Sequence, residues 1–227
     1  MISVKLLFYH AIGTAAMLIP IMIQSSWYNI KWYKRILIAI LLTVAGTIGT
    51  YILYYIENGW IGGTSFFGAV FFVPLLFFGV AKMLKMPYGT LMDICAPAEC
   101  IMLSIMKVQC LISGCCGGRG ISFAGNTFVF PSQIAEMINA LIIMIILMAI
   151  SRKERNRGLI FPYYMVIYGI SRFVLNIFRD VWVTTDMIIP YGNIWSIVSI
   201  IIGVVAIVVI NRKAKKQSHP LNESQSA

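Results

Sequence analysis

The stretch from Ile36 to Ile56 reads ILIAILLTVAGTIGTYILYYI, without one charged side chain, bounded by Lys34 and Arg35 before it and Glu57 after it. A helix needs about 20 apolar residues to cross the hydrocarbon core of a bilayer, so this run predicts a membrane span. Working outward from it, six more apolar segments follow the same reading: Val4–Ile23, Phe66–Val80, Thr90–Ile112, Ser132–Ile150, Leu159–Phe178 and Ile194–Ile210. The first resembles a secretory signal in carrying Lys5 ahead of an apolar run. Its apolar core is long and no A-x-A-like site follows, so it reads as a span. Of the 227 residues, 59% are hydrophobic and 11% charged, against roughly 25% charged in an average soluble domain. Soluble folds, disorder and coiled coils are excluded together. Seven spans consume about 140 residues and leave no room for a soluble domain. The expected fold class is an all-α integral membrane protein with seven transmembrane helices. Residues 1–211 form the membrane domain, and residues 212–227 form a basic tail whose polar end, from Gln217 on, is expected to be disordered.

The net charge of +10 comes from 18 Lys and Arg against 8 Asp and Glu. Such a balance can signal nucleic acid, but these cations sit in short clusters beside apolar runs, the pattern of topology signals and anionic-lipid contact. Lys31, Lys34 and Arg35 follow span one, Lys82 and Lys85 follow span three, and Arg152, Lys153, Arg155 and Arg157 follow span five. Arg212, Lys213, Lys215 and Lys216 follow span seven, which puts thirteen cations on one side. The other side holds Lys5, Arg119 and Arg179. The positive-inside rule then predicts the N-terminus outside and the C-terminus in the cytoplasm.

Lys107 and Arg172 remain, and both lie within spans, where an ionised side chain costs about 2.5–3.5 kcal/mol on insertion scales. Counted from the cytoplasmic start of its span, Arg172 lies about 20 Å along the helix and Lys107 about 26 Å. Gln133 and Glu136 fall within about 6 Å of the outer start of span five. All four therefore belong to the outer half of the membrane. Helical spacing adds a second signal. Tyr164, Tyr168, Arg172 and Asn176 recur every four residues, and Gln133, Glu136 and Asn139 every three. Asp93, Pro97, Cys100, Ser104 and Lys107 form a stripe on span four. Packed together, these faces predict a polar cavity, cationic near its outer mouth, suited to an anionic headgroup. Arg grips phosphate through two parallel hydrogen bonds, whereas Lys is a point charge. The blander reading is that Glu136 pairs with Arg172 or Lys107 and the network only fixes helix packing.

The loop Ser113–Phe130 contains the glycine-rich run Ser113-Gly-Cys-Cys-Gly-Gly-Arg-Gly120. Its backbone amides could cradle an anion, with Arg119 adding charge, or its glycines could serve a re-entrant turn. All five cysteines fall between Cys95 and Cys116, and only Cys115 and Cys116 read as loop-borne. No histidine lies near them, so neither a metal site nor a disulfide framework is indicated.

Five motifs in order carry a resemblance. They are Trp60-Ile-Gly-Gly-Thr-Ser-Phe-Phe-Gly68, Asp93-Ile-Cys-Ala-Pro97, the Lys107–Arg119 segment, Phe130-Pro-Ser-Gln-Ile-Ala-Glu136, and Tyr168-Gly-Ile-Ser-Arg172 with Phe178-Arg179-Asp180. Together they resemble the prolipoprotein diacylglyceryl transferase family, in a branch with a Gly-Cys-Cys loop. The resemblance implies an enzyme of the bacterial cytoplasmic membrane. It would move diacylglyceryl from phosphatidylglycerol to the lipobox cysteine of a prolipoprotein and release glycerol phosphate, with no metal or cofactor. It assigns Arg172 and Lys107 to the leaving phosphate, and Arg172, Arg119, Tyr168, Arg179, Gln133 and Glu136 to the headgroup. The chain departs from the family pattern at Lys107 (an arginine in the family), Phe67 and Phe130 (histidines) and Asn176 (a glutamate). His10 is a candidate replacement base, against the plainer reading of an interfacial side chain. Two other functions fit the residues: a homologue that binds phospholipid without this transfer, and a small transporter whose polar path continues through Asp93 and Glu99.

Overall fold

The computed structural model describes residues 4–60, 62–123, 126–179 and 189–223. Asp180 and Trp182, both singled out by the sequence, lie outside the described residues. Seven helices are long and apolar enough to cross a membrane, and the chain is a multi-pass membrane protein. They are α1 (Val4–Trp27), α2 (Trp32–Asn58), α3 (Phe67–Leu84), α4 (Tyr88–Ser113), α5 (Ser132–Ser151), α6 (Ile160–Ile177) and α7 (Tyr191–Glu223). Most run a few residues past the apolar segments, because polar and aromatic residues at membrane edges can stay helical once the span is formed. The last helix continues through the basic cluster to Glu223.

Helix α4 is the centre of the bundle. Of its span, 61% is buried, against 22% for α7, and it packs on α1, α3, α5 and α6. Its polar stripe points inward, with Asp93, Pro97, Cys100, Ser104 and Lys107 all buried. Without water in the bilayer, helices associate through close packing and interhelical hydrogen bonds. Gly49 of α2 shows the first: a Cβ there would come within 2.5 Å of the Gly68 carbonyl oxygen in α3. Gly169 lets α6 approach α7 in the same way, against the Ser196 carbonyl and Ile200. Hydrogen bonds add to this. The Thr14 and Thr43 hydroxyls meet at 2.8 Å between α1 and α2, and Gln24 Nε2 of α1 donates to Ser151 Oγ of α5 at 3.2 Å.

At the lysine- and arginine-rich end, Asp93 organises the entry into α6. Its carboxylate is fully buried and accepts the Gly158 N–H at 2.6 Å and the Ile160 N–H at 3.0 Å. The Ile160 N–H is one of the donors a helix N-terminus leaves without intrahelical partners, Gly158 lies just before the cap, and an anion there is favoured by the helix dipole. A structural anchor accounts for Asp93 without a transport path.

The opposite end differs from expectation. Rather than a buried re-entrant turn, the α4–α5 connection contains an exposed antiparallel hairpin, β1 (Gly120–Phe123) with β2 (Asn126–Val129), in register Gly120↔Val129. A search for spans passes over strands this short, although Ile121, Phe123, Thr127 and Val129 carry β-forming side chains. Three of the loop amides are already engaged within the chain. Those of Gly114 and Cys115 donate to Leu111 and Cys110, and that of Arg119 donates to Phe178.

Asp93→Ala leaves two buried N–H groups without their acceptor. It is expected to lower stability by about 2–4 kcal/mol, read as a lower thermal midpoint in detergent, with Asp93→Asn losing less.

Candidate functional site

Glu136 lies one turn into α5 and only 3% of its side chain is exposed. Three cations converge on it from three parts of the chain. Lys107 Nζ, near the end of α4, lies 2.5 Å from Oε2. Arg172 of α6 pairs with the same oxygen through Nη1. Arg179, just past α6, approaches Oε1 with Nε at 3.6 Å. That is too long for a hydrogen bond, and Arg179 Nε is buried without one among the described residues. Burial and the neighbouring Arg172 both hold Arg179 below the ordinary arginine value.

Among the described residues, one carboxylate against three cations leaves a formal excess of two positive charges. The side chains of Lys107, Arg172 and Arg179 stay 10%, 12% and 14% exposed, whereas the carboxylate is closed off. Each guanidinium has five N–H donors, so Glu136 cannot saturate them. Chemically, the donors that Glu136 does not take are able to accept a second anion beside this fixed internal counter-ion.

The remaining predicted residues surround this cluster at different distances. Tyr168 lies one helical turn from Arg172, 2% exposed, its ring against Phe66 and Phe67 at 5.4 and 5.2 Å. Gln133, one turn before Glu136, is committed elsewhere: its Nε2 donates to the Cys115 carbonyl at 2.7 Å. Arg119 is not brought into the cluster. It is exposed, and Nη1 donates to the Ile177 carbonyl at the end of α6, at 3.3 Å. Its charge therefore neutralises a helix C-terminus.

The departures from the family pattern are filled by packing. Phe67 stacks on Phe71 and leans on Tyr168, while Phe130 lies 5.0 Å from Phe178. Asn176 donates to Asn193 Oδ1 of α7 at 3.1 Å. Deeper in the bundle, Glu99 is buried, as are Tyr164, Cys95 and Cys100.

One association escaped the sequence. The loop after α4 folds back, so that the sulfurs of Cys110, Cys115 and Cys116 all lie within 4.8 Å of one another. A hydrogen bond from the Cys110 thiol holds Cys116 below the ordinary thiol value; burial opposes this, and Lys107 and Arg179 reinforce it. The spacing 110, 115, 116 carries no metal-ligand signature. It becomes a cluster only because Gly114 takes a left-handed conformation (φ 66°) and reverses the chain.

The class that fold and site define is a polytopic membrane protein of seven helices, with one buried carboxylate that holds three cations at one end of the bundle. The chain matches the family described as prolipoprotein diacylglyceryl transferase over residues 5–209, and it belongs to that family. Relatives named phosphatidylglycerol–prolipoprotein diacylglyceryl transferase agree. That of Geobacter sulfurreducens is 31% identical over 199 residues, covering 78% of this chain and 76% of the relative. That of Francisella tularensis subsp. novicida is 26% identical over 208 residues, covering 79% and 75%.

Glu136→Gln strands three cations in the membrane domain and is expected to cost about 3–5 kcal/mol. Adding Lys107→Gln to that variant should recover part of the loss, because one fewer charge is left unpaired. A double-mutant cycle of thermal unfolding in detergent measures both.

Proposed function

We propose that this protein transfers diacylglyceryl from phosphatidylglycerol to the lipobox cysteine thiol of prolipoproteins, releasing glycerol phosphate. The observation that carries this reading is the cation cluster around Glu136, set in a chain of this family. Phosphatidylglycerol places one phosphate at the depth of its headgroup, and the excess positive charge suits it. The acceptor sulfur attacks the glyceryl carbon attached to the phosphate. A C–S bond forms as the C–O bond breaks, the electron pair leaves on the phosphate oxygen, and the thiol proton is released.

Arg172 and Lys107 stabilise the phosphate as charge collects on it, the term that dominates many group transfers. Arg179, whose Nε makes no hydrogen bond among the described residues, is a further phosphate donor. Glu136 positions all three cations, and Tyr168 supports Arg172 from one turn below. Gln133 contributes to headgroup binding by fixing the loop at Cys115. Arg119 belongs to the rim, where it reaches the headgroup only by leaving the Ile177 carbonyl. The cation-rich end is cytoplasmic, so the N-terminus lies outside, the C-terminus inside, and the site in the outer leaflet of the bacterial cytoplasmic membrane.

Purified protein reconstituted in phosphatidylglycerol bilayers with a lipobox peptide is expected to release glycerol phosphate in a peptide-dependent way. Arg172→Ala should lower the rate by about 100-fold or more, Arg172→Lys by less, and Arg119→Ala least. If no release occurs while phosphatidylglycerol still binds in an Arg172-dependent way, the protein is a lipid-binding homologue in which Phe67 and Phe130 have replaced proton-handling side chains.

A further inference from the structure

The thiol cluster at the end of α4 takes no part in the phosphate chemistry. Its geometry is nevertheless built rather than incidental. The Cys115 carbonyl is held by Gln133 Nε2 at 2.7 Å and the Cys116 carbonyl by Ser132 Oγ at 2.6 Å. The Cys115 N–H donates to the Cys110 carbonyl at 3.1 Å. Three hydrogen bonds thus fix the two loop cysteines against α5 and the end of α4. Cys116 also adopts a left-handed backbone conformation, φ 59°, uncommon for a side-chain-bearing residue. Glycines flank the pair at Gly114 and Gly117, yet a cysteine occupies this strained position.

We propose that Cys110, Cys115 and Cys116 form a three-thiolate site for a soft divalent metal ion of the zinc class. Tetrahedral coordination at a Zn–S distance of about 2.3 Å sets sulfurs about 3.8 Å apart. The three sulfurs, each within 4.8 Å of the others, need contract by no more than about 1 Å to reach that spacing. Binding releases three thiol protons and makes a complex of charge −1, which the cations beside it favour: Lys107 and Arg179 both act on Cys116. Exposed Cys115 offers the entry path, while Cys110 and Cys116 are half-buried. Three protein ligands leave a fourth position open, the pattern of reactive rather than purely structural zinc sites. This departs from the metal-free chemistry implied by the resemblance, and it stands whether or not the transfer reaction is confirmed.

The test uses the full chain in detergent, reduced and then stripped of metal with a chelator. Titration with Co2+ is expected to give thiolate-to-cobalt charge-transfer absorption that saturates at one ion per chain and is displaced by one equivalent of Zn2+. Cys110→Ser, Cys115→Ser and Cys116→Ser should each weaken binding by at least about tenfold. Cys115 is exposed, so its variant keeps the test valid if the others fail to fold. Cys95→Ala with Cys100→Ala should leave binding intact. Three outcomes would overturn the proposal: no charge-transfer band while the thiols are reduced, binding unchanged in Cys115→Ser, or a disulfide among the three in protein isolated without reductant.

Discussion

The membrane domain depends on one buried carboxylate. Lys107, Arg172 and Arg179 enter the bundle from different segments, and no other acidic side chain is ion-paired to any of them among the described residues. Each cation in hydrocarbon costs several kcal/mol on its own. Glu136 offsets that cost for all three at once and ties α4, α5 and the end of α6 into a single unit. Among the described residues it does so incompletely, so the assembly is a structural joint that keeps spare positive charge. A fully neutralised network would hold the helices equally well and bind nothing.

The same end of the bundle is closed by backbone contacts. Gly118 bridges to Arg179, the Arg119 N–H donates to the Phe178 carbonyl, and the Phe130 N–H donates to the Arg119 carbonyl. The α4–α5 connection is thereby stitched to the segment that delivers Arg179. A Cβ at Gly118 would collide with the Phe130 carbonyl, so the stitch requires glycine there. Arg119 takes part through its backbone and also through its side chain, whose Nη1 donates to the Ile177 carbonyl at 3.3 Å.

What the sequence revealed follows from how each feature is encoded. Spans are written in composition over about 20 residues, so all seven were legible. The polar stripes are written in helical periodicity, so the inward face of Tyr164, Tyr168, Arg172 and Asn176 was legible too. Depth and helical spacing put Lys107, Arg172 and Glu136 at one level, and the pairing of Glu136 with Arg172 or Lys107 is the blander alternative; the structure shows both pairs. The hairpin, the thiol cluster and the Ile177 contact of Arg119 depend instead on how one irregular loop turns. That path is set by a left-handed Gly114 and by hydrogen bonds to Ser132 and Gln133. Nothing periodic announces it.

Two buried carboxylates at opposite ends show how chemistry separates support from function. Asp93 is met by backbone N–H groups of Gly158 and Ile160. Those donors are neutral, fixed by the chain and used up by the contact. Glu136 is met by three charged side chains, each with donors to spare and a small exposed edge. Removing Asp93 would loosen a helix start, whereas removing Glu136 would free three cations at the mouth of the site. An incoming phosphate can compete for Arg172, Lys107 and Arg179 without dismantling the fold, because Glu136 keeps contact with those the ligand does not take. The end of the bundle proposed to bind anions is therefore the one whose counter-charge, among the described residues, is left short.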